Sequence, residues 1–168
     1  MTQTPVSTIR FGDIQVENDR IVHFVEPVFG FEKSTRYVIL DHSENSPFKW
    51  LQSVDEGDLA FVVTNPAFFG IEYEFEVPDD TASKLALASP DDVLVLTIVN
   101  IPQSDPSKMT ANLLGPVIIN QANRKALQVV LSESRYDTKT RLISPAAAAA
   151  EQGATAKNKG AAAKNKGE

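Results

Sequence analysis

Short apolar or alternating segments, separated by turn residues, run through most of this chain and restrict what it can fold into. Alternation over a few residues is typical of β-strands, whereas a helix needs an apolar repeat of ~3.6 residues over a longer stretch. So many short segments in a chain of 168 residues predict a mainly β fold, a compact single-domain β-barrel-like sheet. The segments that fit are Ser7–Phe11, Ile14–Val16, Ile21–Phe24, Arg36–Leu40, Phe48–Gln52, Ala60–Thr64, Ile71–Val77, Val93–Val99, Thr110–Leu113, Val117–Asn120, Leu127–Leu131 and Tyr136–Leu142.

Two short helix starts interrupt the strand pattern. Asp79-Asp80-Thr81 offers an N-cap and an acidic first turn. Ser89 precedes Pro90 and two further aspartates, which places a capping side chain, a proline at the first helical position and negative charge in the right order. The fold prediction therefore includes one or two short helices.

The composition changes abruptly near residue 145. Residues 1–144 carry 12 Lys and Arg against 20 Asp and Glu, a net charge of −8, while 145–168 carry four against two, +2, which together give the −6 of the whole chain. The second segment is rich in Ala and Lys and repeats Ala-Lys-Asn-Lys-Gly, so it lacks apolar side chains large enough to offset its ordering entropy. We expect a folded domain over 1–144 and a disordered, solvated tail over 145–168.

Several functional classes lack the residues they need. The chain has no cysteine, and no GxSxG, HExxH, Walker A or GxGxxG motif is present, so no catalytic residue, cofactor or metal is predicted. The cluster Asp41, His42 and Glu44 is expected to form a polar turn rather than a metal site. Neither a signal sequence nor a membrane-spanning apolar run is visible, which predicts a cytoplasmic protein without membrane contact. The acidic body also predicts no direct nucleic-acid binding.

The alternating stretch 71–77 is the most informative local pattern. As an extended segment it places Glu72, Glu74 and Glu76 on one face, opposite a row of apolar and aromatic side chains, with Asp79 just beyond. Such a row favours a cationic partner. An ordinary solvated face, or one neutralised by Lys or Arg from a neighbouring strand, explains the same pattern.

Aromatic residues near predicted turns suit protein recognition, although Trp50 and Phe61 are expected to pack in the core. A different class of function also remains open, a small hydrolase or carbohydrate-binding β domain that uses carboxylates. It requires a deep pocket with two convergent carboxylates. The candidates for that role are Asp41, Glu44, Asp91 and Asp92.

Eight motifs, taken in order, closely resemble the flagellar assembly factor FliW family over roughly residues 7–142. They are PheGlyPheGlu (29–32), TyrValIleLeu (37–40), ProPheLysTrpLeuGlnSer (47–53), LeuAlaPheValValThrAsnPro (59–66), ThrAlaAsnLeu (110–113), GlyProValIleIleAsn (115–120), GlnValValLeu (128–131) and TyrAspThrLysThrArgLeu (136–142). The resemblance implies a β-barrel-like protein without catalytic activity, monomeric when free. It also implies two protein partners, newly made flagellin and the RNA-binding regulator CsrA, which the family antagonises noncompetitively so that flagellin translation follows export.

The resemblance also gives the surface residues a partner each. CsrA is a small basic protein, so Glu72, Glu74, Glu76 and Asp79 are predicted to contribute to its binding surface. Flagellin presents amphipathic helices, for which an apolar groove with a polar rim is expected. The candidates for that groove are Phe68, Phe69, Ile101 and Pro102, for which loop anchoring is the competing interpretation.

Overall fold

A closed β-barrel forms the centre of the molecule. The computed structural model describes residues 2–132 and 134–142, so the predicted tail over 145–168 lies outside the described residues. The strands are β1 (Gln3–Thr8), β2 (Gly12–Glu17), β3 (Val22–Phe24), β4 (Arg36–Asp41), β5 (Phe48–Ser53), β6 (Ala60–Thr64), β7 (Val93–Asn100), β8 (Thr110–Ala111), β9 (Val117–Asn120), β10 (Lys125–Gln128) and β11 (Thr140–Arg141). One α-helix, α1 (Asp79–Lys84), and 3₁₀ turns at Asn18–Arg20, Pro66–Phe69, Pro90–Asp92 and Pro106–Lys108 complete the described secondary structure.

Seven strands close the barrel in the order β7-β6-β5-β4-β3-β10-β9, because β9 also pairs with β7. All neighbours are antiparallel except β3 and β10, which are parallel. The β1–β2 hairpin is a separate two-stranded sheet, and β8 and β11 extend the main sheet beyond β7. The barrel and the mainly β class are therefore confirmed, and closure leaves these seven strands with few exposed edges.

Alternate residues of the strands supply the inner and outer cores. Val117 and Ile119 on β9 pack with side chains from each of the other barrel strands, a set that can meet only inside a closed sheet, whereas Ile118 faces outward into a second cluster. A third cluster lies between the β1–β2 hairpin and Val38 of β4. Phe61 packs against the inner cluster, as predicted, but the prediction for Trp50 is wrong, since it is half-buried on the outside beneath Arg10.

The stretch Ile71–Val77 differs from its prediction as a strand. Its burial alternates as expected, with Tyr73 buried between exposed glutamates, but it pairs with no strand. The neighbouring strands β6 and β7 pair with each other instead, so the chain from 65 to 92 crosses the outer face of the barrel and packs its apolar side chains there. A helical turn begins at each predicted start: α1, with Asp79 and Asp80 in its first turn, and the 3₁₀ turn Pro90–Asp92, where the Ser89 side chain accepts a hydrogen bond from Asp91 N. The N-cap predicted within Asp79-Asp80-Thr81 is wrong, because Pro78 holds that position and no side chain caps α1.

The turn after β5 is fixed by Asp55. Its carboxylate accepts hydrogen bonds from the backbone N–H groups of Thr35 and Arg36 at 2.9 and 3.0 Å and pairs with the Arg36 guanidinium at 2.9 Å. Burial opposes ionisation, but these bonds and the Arg36 charge outweigh it and lower the pKa of Asp55 below its ordinary value of 3.8. The ionised carboxylate therefore stabilises the fold.

Asp55→Asn is expected to lower the free energy of unfolding by roughly 1–3 kcal/mol at pH 7. Because the folded pKa is depressed, this stabilisation is fully present above the unfolded pKa and is lost as the pH falls through the folded pKa. Urea unfolding of both proteins at a series of pH values from 7 downward measures the difference. The exposed Asp58→Asn is the matched control, and a difference that stays constant as the pH falls would contradict the assignment.

Candidate partner-binding surfaces

The glutamate row of 71–77, defined as Glu72, Glu74 and Glu76, stands on a rigid base. Tyr73 is fully buried, and its hydroxyl donates to Leu113 O at 2.6 Å. The ring of Tyr136 packs edge-on against that of Tyr73 with 4.7 Å between the centroids. Alternation then directs the three glutamate side chains to solvent.

The backbone of Glu74 is hydrogen-bonded to a side-chain hydroxyl, that of Tyr136, and not to a neighbouring strand. Tyr136 Oη accepts a hydrogen bond from Glu74 N at 2.8 Å and donates one to Glu74 O at 3.0 Å. These bonds fix the middle of the extended segment although it belongs to no sheet. The glutamate row therefore has a defined direction and does not depend on a strand neighbour.

The charge of this row is not compensated within the described part of the chain, where no Lys or Arg forms an ion pair with Glu72, Glu74 or Glu76. The nearest available cation in sequence, Lys84, pairs with Glu26 at 2.6 Å and with Asp80 at 3.0 Å, and the hydrogen bonds to these carboxylates raise the pKa of Lys84. The structure therefore does not support the interpretation in which a neighbouring Lys or Arg neutralises the glutamate row. Asp79 is exposed in the first turn of α1, three residues beyond Glu76.

The four apolar candidates do not share one surface. Phe68 is 54% exposed, whereas Phe69 is only 5% exposed and packs against Phe48. Ile101 and Pro102 are half-buried and follow β7. Since β6 pairs antiparallel with β7, with Thr64 opposite Thr97 and Val62 opposite Val99, the two pairs of candidates lie towards opposite ends of this ladder.

The carboxylates proposed for a hydrolytic or sugar site are separated among the elements. Asp41 ends β4 and pairs with Lys49 at 2.8 Å, and this contact lowers the pKa of Asp41. A cavity at one end of the barrel is lined by Asp41, but none of the other three carboxylates lines it. Among the described residues no group of three or more His, Asp and Glu is arranged to hold a metal ion. None of the helices in that part of the chain is long and apolar enough to cross a membrane.

Polar residues of the sequence motifs hold loops in place. Gln52 Nε2 donates to the carbonyls of Ser53, Gly57 and Leu59 at 2.9, 3.3 and 3.1 Å, which closes the turn after β5. Gly57 is needed there because a Cβ at this position would lie 2.0 Å from Ser7 O. These motif residues therefore serve the fold.

Asn120 has the same kind of role on the other side of the barrel. Its side chain donates to Leu85 O at 2.8 Å and accepts from Ala122 N at 2.9 Å, so it joins the end of α1 to the β9–β10 turn. Asn120 is almost fully buried, so both bonds lie in a site without water to replace them. The ValIleIleAsn motif thus fixes the segment that carries α1 and the glutamate row.

Comparison with known proteins agrees with this fold. The family model described as FliW protein matches residues 5–142. The chain belongs to the FliW family. The flagellar assembly factor FliW of Treponema denticola is 38% identical over 144 residues, covering 86% of this chain and 97% of that protein. The FliW of Syntrophus aciditrophicus is 43% identical over 131 residues, covering 78% and 82%.

A solved structure gives the same result for the FliW fold. A crystal structure of the flagellar assembly factor FliW superimposes with a TM-score of 0.76 at 33% identity, covering 83% of this chain and 97% of that one. The FliW family match ends at residue 142, before the Ala- and Lys-rich segment begins. The resemblance inferred from the eight motifs is therefore confirmed.

Proposed function

We propose that this FliW-family protein binds newly made flagellin in the cytoplasm and antagonises CsrA by direct, noncompetitive protein binding, so that flagellin translation follows flagellin export. The relatives are named flagellar assembly factors, which supports a role in building the flagellum. The protein acts by binding and not by catalysis, and is monomeric when free. Its body carries 20 acidic against 12 basic residues, which favours a basic protein partner over RNA.

The observation that carries the CsrA part of the proposal is the uncompensated glutamate row on its fixed base. Side chains two residues apart on an extended segment lie about 7 Å apart, so the three carboxylates form a regular negative stripe that Asp79 extends. A basic protein facing this stripe gains faster encounter and a defined orientation. Because the Tyr136 hydroxyl fixes the backbone of Glu74, little conformational entropy is lost on binding.

The flagellin part of the proposal keeps the predicted apolar candidates, of which Phe68 is the most accessible. Phe68 lines a cavity of about 470 Å³ together with Val63, Leu94 and Leu96, so an apolar side chain of an amphipathic helix has a concave surface to enter. Ile101 and Pro102 are half-buried, and Phe69 is buried in the core against Phe48.

The test is a binding experiment with purified flagellin and purified CsrA from the same source. We expect the full chain to retain each partner on a column at low salt. In high salt the CsrA complex should weaken more than the flagellin complex, because charge dominates only the first. Retention of neither partner, measured with folded protein, would overturn the proposal, and equal salt dependence would overturn the assignment of the charged surface to CsrA.

A further inference from the structure

One end of the barrel contains a second cavity, which adjoins the cavity proposed for flagellin and shares Lys49, Leu94, Leu96 and Gln121 with it, but whose other side is formed by two arginines. Its volume is about 450 Å³, within the ~300–1,000 Å³ typical of small-molecule sites. Ile39, Leu94 and Leu96, which also belong to the inner cluster or pack against it, form its apolar floor. The rim comes from the 3₁₀ turn Asn18–Arg20, from the end of β4, from β5 and from the β9–β10 turn, and consists of Asp19, Arg20, Asp41, Lys49, Gln121 and Arg124.

Arg124 is held in this rim at a cost. Its φ is +66°, a left-handed backbone conformation that non-glycine residues adopt rarely. Its Nη2 donates to Arg20 O at 3.0 Å, and its Nε is shielded from solvent without a hydrogen-bond acceptor among the described residues. An unsatisfied buried donor and a left-handed backbone both destabilise the folded state, whereas the hydrogen bond to Arg20 O links the β9–β10 turn to the turn before β3.

The rim is also locally positive. Neither Arg20 nor Arg124 forms an ion pair with any carboxylate that the structure describes, whereas Lys49 is already neutralised by Asp41 at 2.8 Å. Burial, and then the nearby Arg20 charge, lower the pKa of Arg124, against the opposite effect of Asp19. Two guanidinium groups therefore lie near each other over an apolar floor in a body that is otherwise strongly acidic.

We propose that this barrel-end cavity binds an anion with an apolar body, a carboxylate on a short hydrocarbon chain, with Arg20 and Arg124 holding the carboxylate and Ile39, Leu94 and Leu96 holding the chain. A guanidinium donates strongly to a carboxylate, often through two parallel N–H groups, and neither Arg20 nor Arg124 has a carboxylate partner among the described residues. Both a free fatty acid of medium length and the C-terminal carboxylate of an apolar peptide have this chemistry.

The experiment titrates the full-length protein with sodium octanoate and follows amide shifts by ¹H–¹⁵N NMR. We expect saturable shifts confined to the residues around Leu94, Gln121 and Arg124. Octanol, which has the same chain without the charge, should bind at least about tenfold more weakly. Acetyl-leucyl-leucine with a free carboxylate is titrated in the same way, with its C-terminal amide as the uncharged control. Whichever acid, octanoate or the dipeptide, binds more tightly and loses affinity without its charge is the type of ligand that the site fits.

Three variants separate binding from stability. Arg124→Gly and Arg20→Gln should each weaken octanoate binding by about tenfold or more, and Arg141→Gln, an exposed arginine that likewise donates to a backbone carbonyl, should change it less than about twofold. Arg124→Gly should leave Tm unchanged or raise it by a few degrees, because glycine adopts the left-handed conformation without strain. A clear loss of Tm in Arg124→Gly would assign Arg124 a structural role. Equal affinity for octanol and octanoate, or no saturable shift with either acid, would overturn the site.

Discussion

The double variant Glu74→Lys, Glu76→Lys is expected to bind CsrA roughly 10- to 100-fold more weakly than the natural sequence at low salt. Both side chains are exposed and unpaired among the described residues, so the change removes two attractive charges and introduces two repulsive ones without breaking an internal contact. The loss should appear mainly in the association rate and should shrink as salt screens the charges. Surface plasmon resonance at low and high ionic strength measures both effects.

A matched control separates a local contact from net charge. Glu32→Lys, Asp58→Lys makes the same total change in charge at two exposed positions on other loops. If the glutamate row contacts CsrA, this control should retain most of the affinity. Equal weakening of the two double variants would show that only the overall acidity matters, and unchanged affinity of Glu74→Lys, Glu76→Lys at low salt would remove the row from the interface. Unfolding curves of both variants should coincide with that of the natural protein.

Local pattern predicted which side chains are buried better than it predicted which backbones pair. In 71–77 the two-residue alternation identified Tyr73 and Phe75 as inward and the glutamates as outward, because burial depends on a local direction. Pairing depends on a partner elsewhere in the chain, and here the partner is a hydroxyl from Tyr136, 62 positions away from Glu74. No short pattern carries that information. The strand that contains Trp50 was predicted correctly, but Trp50 itself lies half-buried outside the barrel and not in the core as predicted, because strand pattern alone does not say what covers each face.

The motifs that identify the family are a poor guide to its surfaces. Gln52 and Asn120 belong to the family motifs, and the buried side chain of each forms hydrogen bonds with several backbone carbonyl or amide groups. Such residues maintain the barrel and its loops whatever the partner is. By contrast, Arg20 and Arg124 are 104 positions apart in the sequence and belong to none of the eight motifs. They come into contact only because the strands close into a barrel. The barrel-end cavity therefore had no signal in the sequence, whereas the family did.

Tyr73→Ala is expected to lower the free energy of unfolding by about 3–5 kcal/mol, the usual cost of removing a large buried aromatic side chain. Tyr73 is fully buried, packs against Phe75 and Tyr136 at 5.1 and 4.7 Å between ring centroids, and donates to Leu113 O. Truncation therefore leaves a cavity and an unpaired Leu113 carbonyl, and it removes the packing that holds the segment 71–77 in place. Tyr73→Phe keeps the ring and loses only the hydrogen bond, so its cost should be about 1–3 kcal/mol.

The same substitution links the base of the glutamate row to its proposed role. In Tyr73→Ala the three glutamates are unchanged, but the segment that directs them loses its main anchor. CsrA affinity of the folded fraction should then fall, whereas Tyr73→Phe, which retains the packing, should bind nearly as well as the natural protein. Urea unfolding together with binding at a temperature where both variants are folded measures the two effects separately. If Tyr73→Ala is destabilised as expected yet binds CsrA with unchanged affinity, the rigid presentation of the glutamate row contributes nothing to binding.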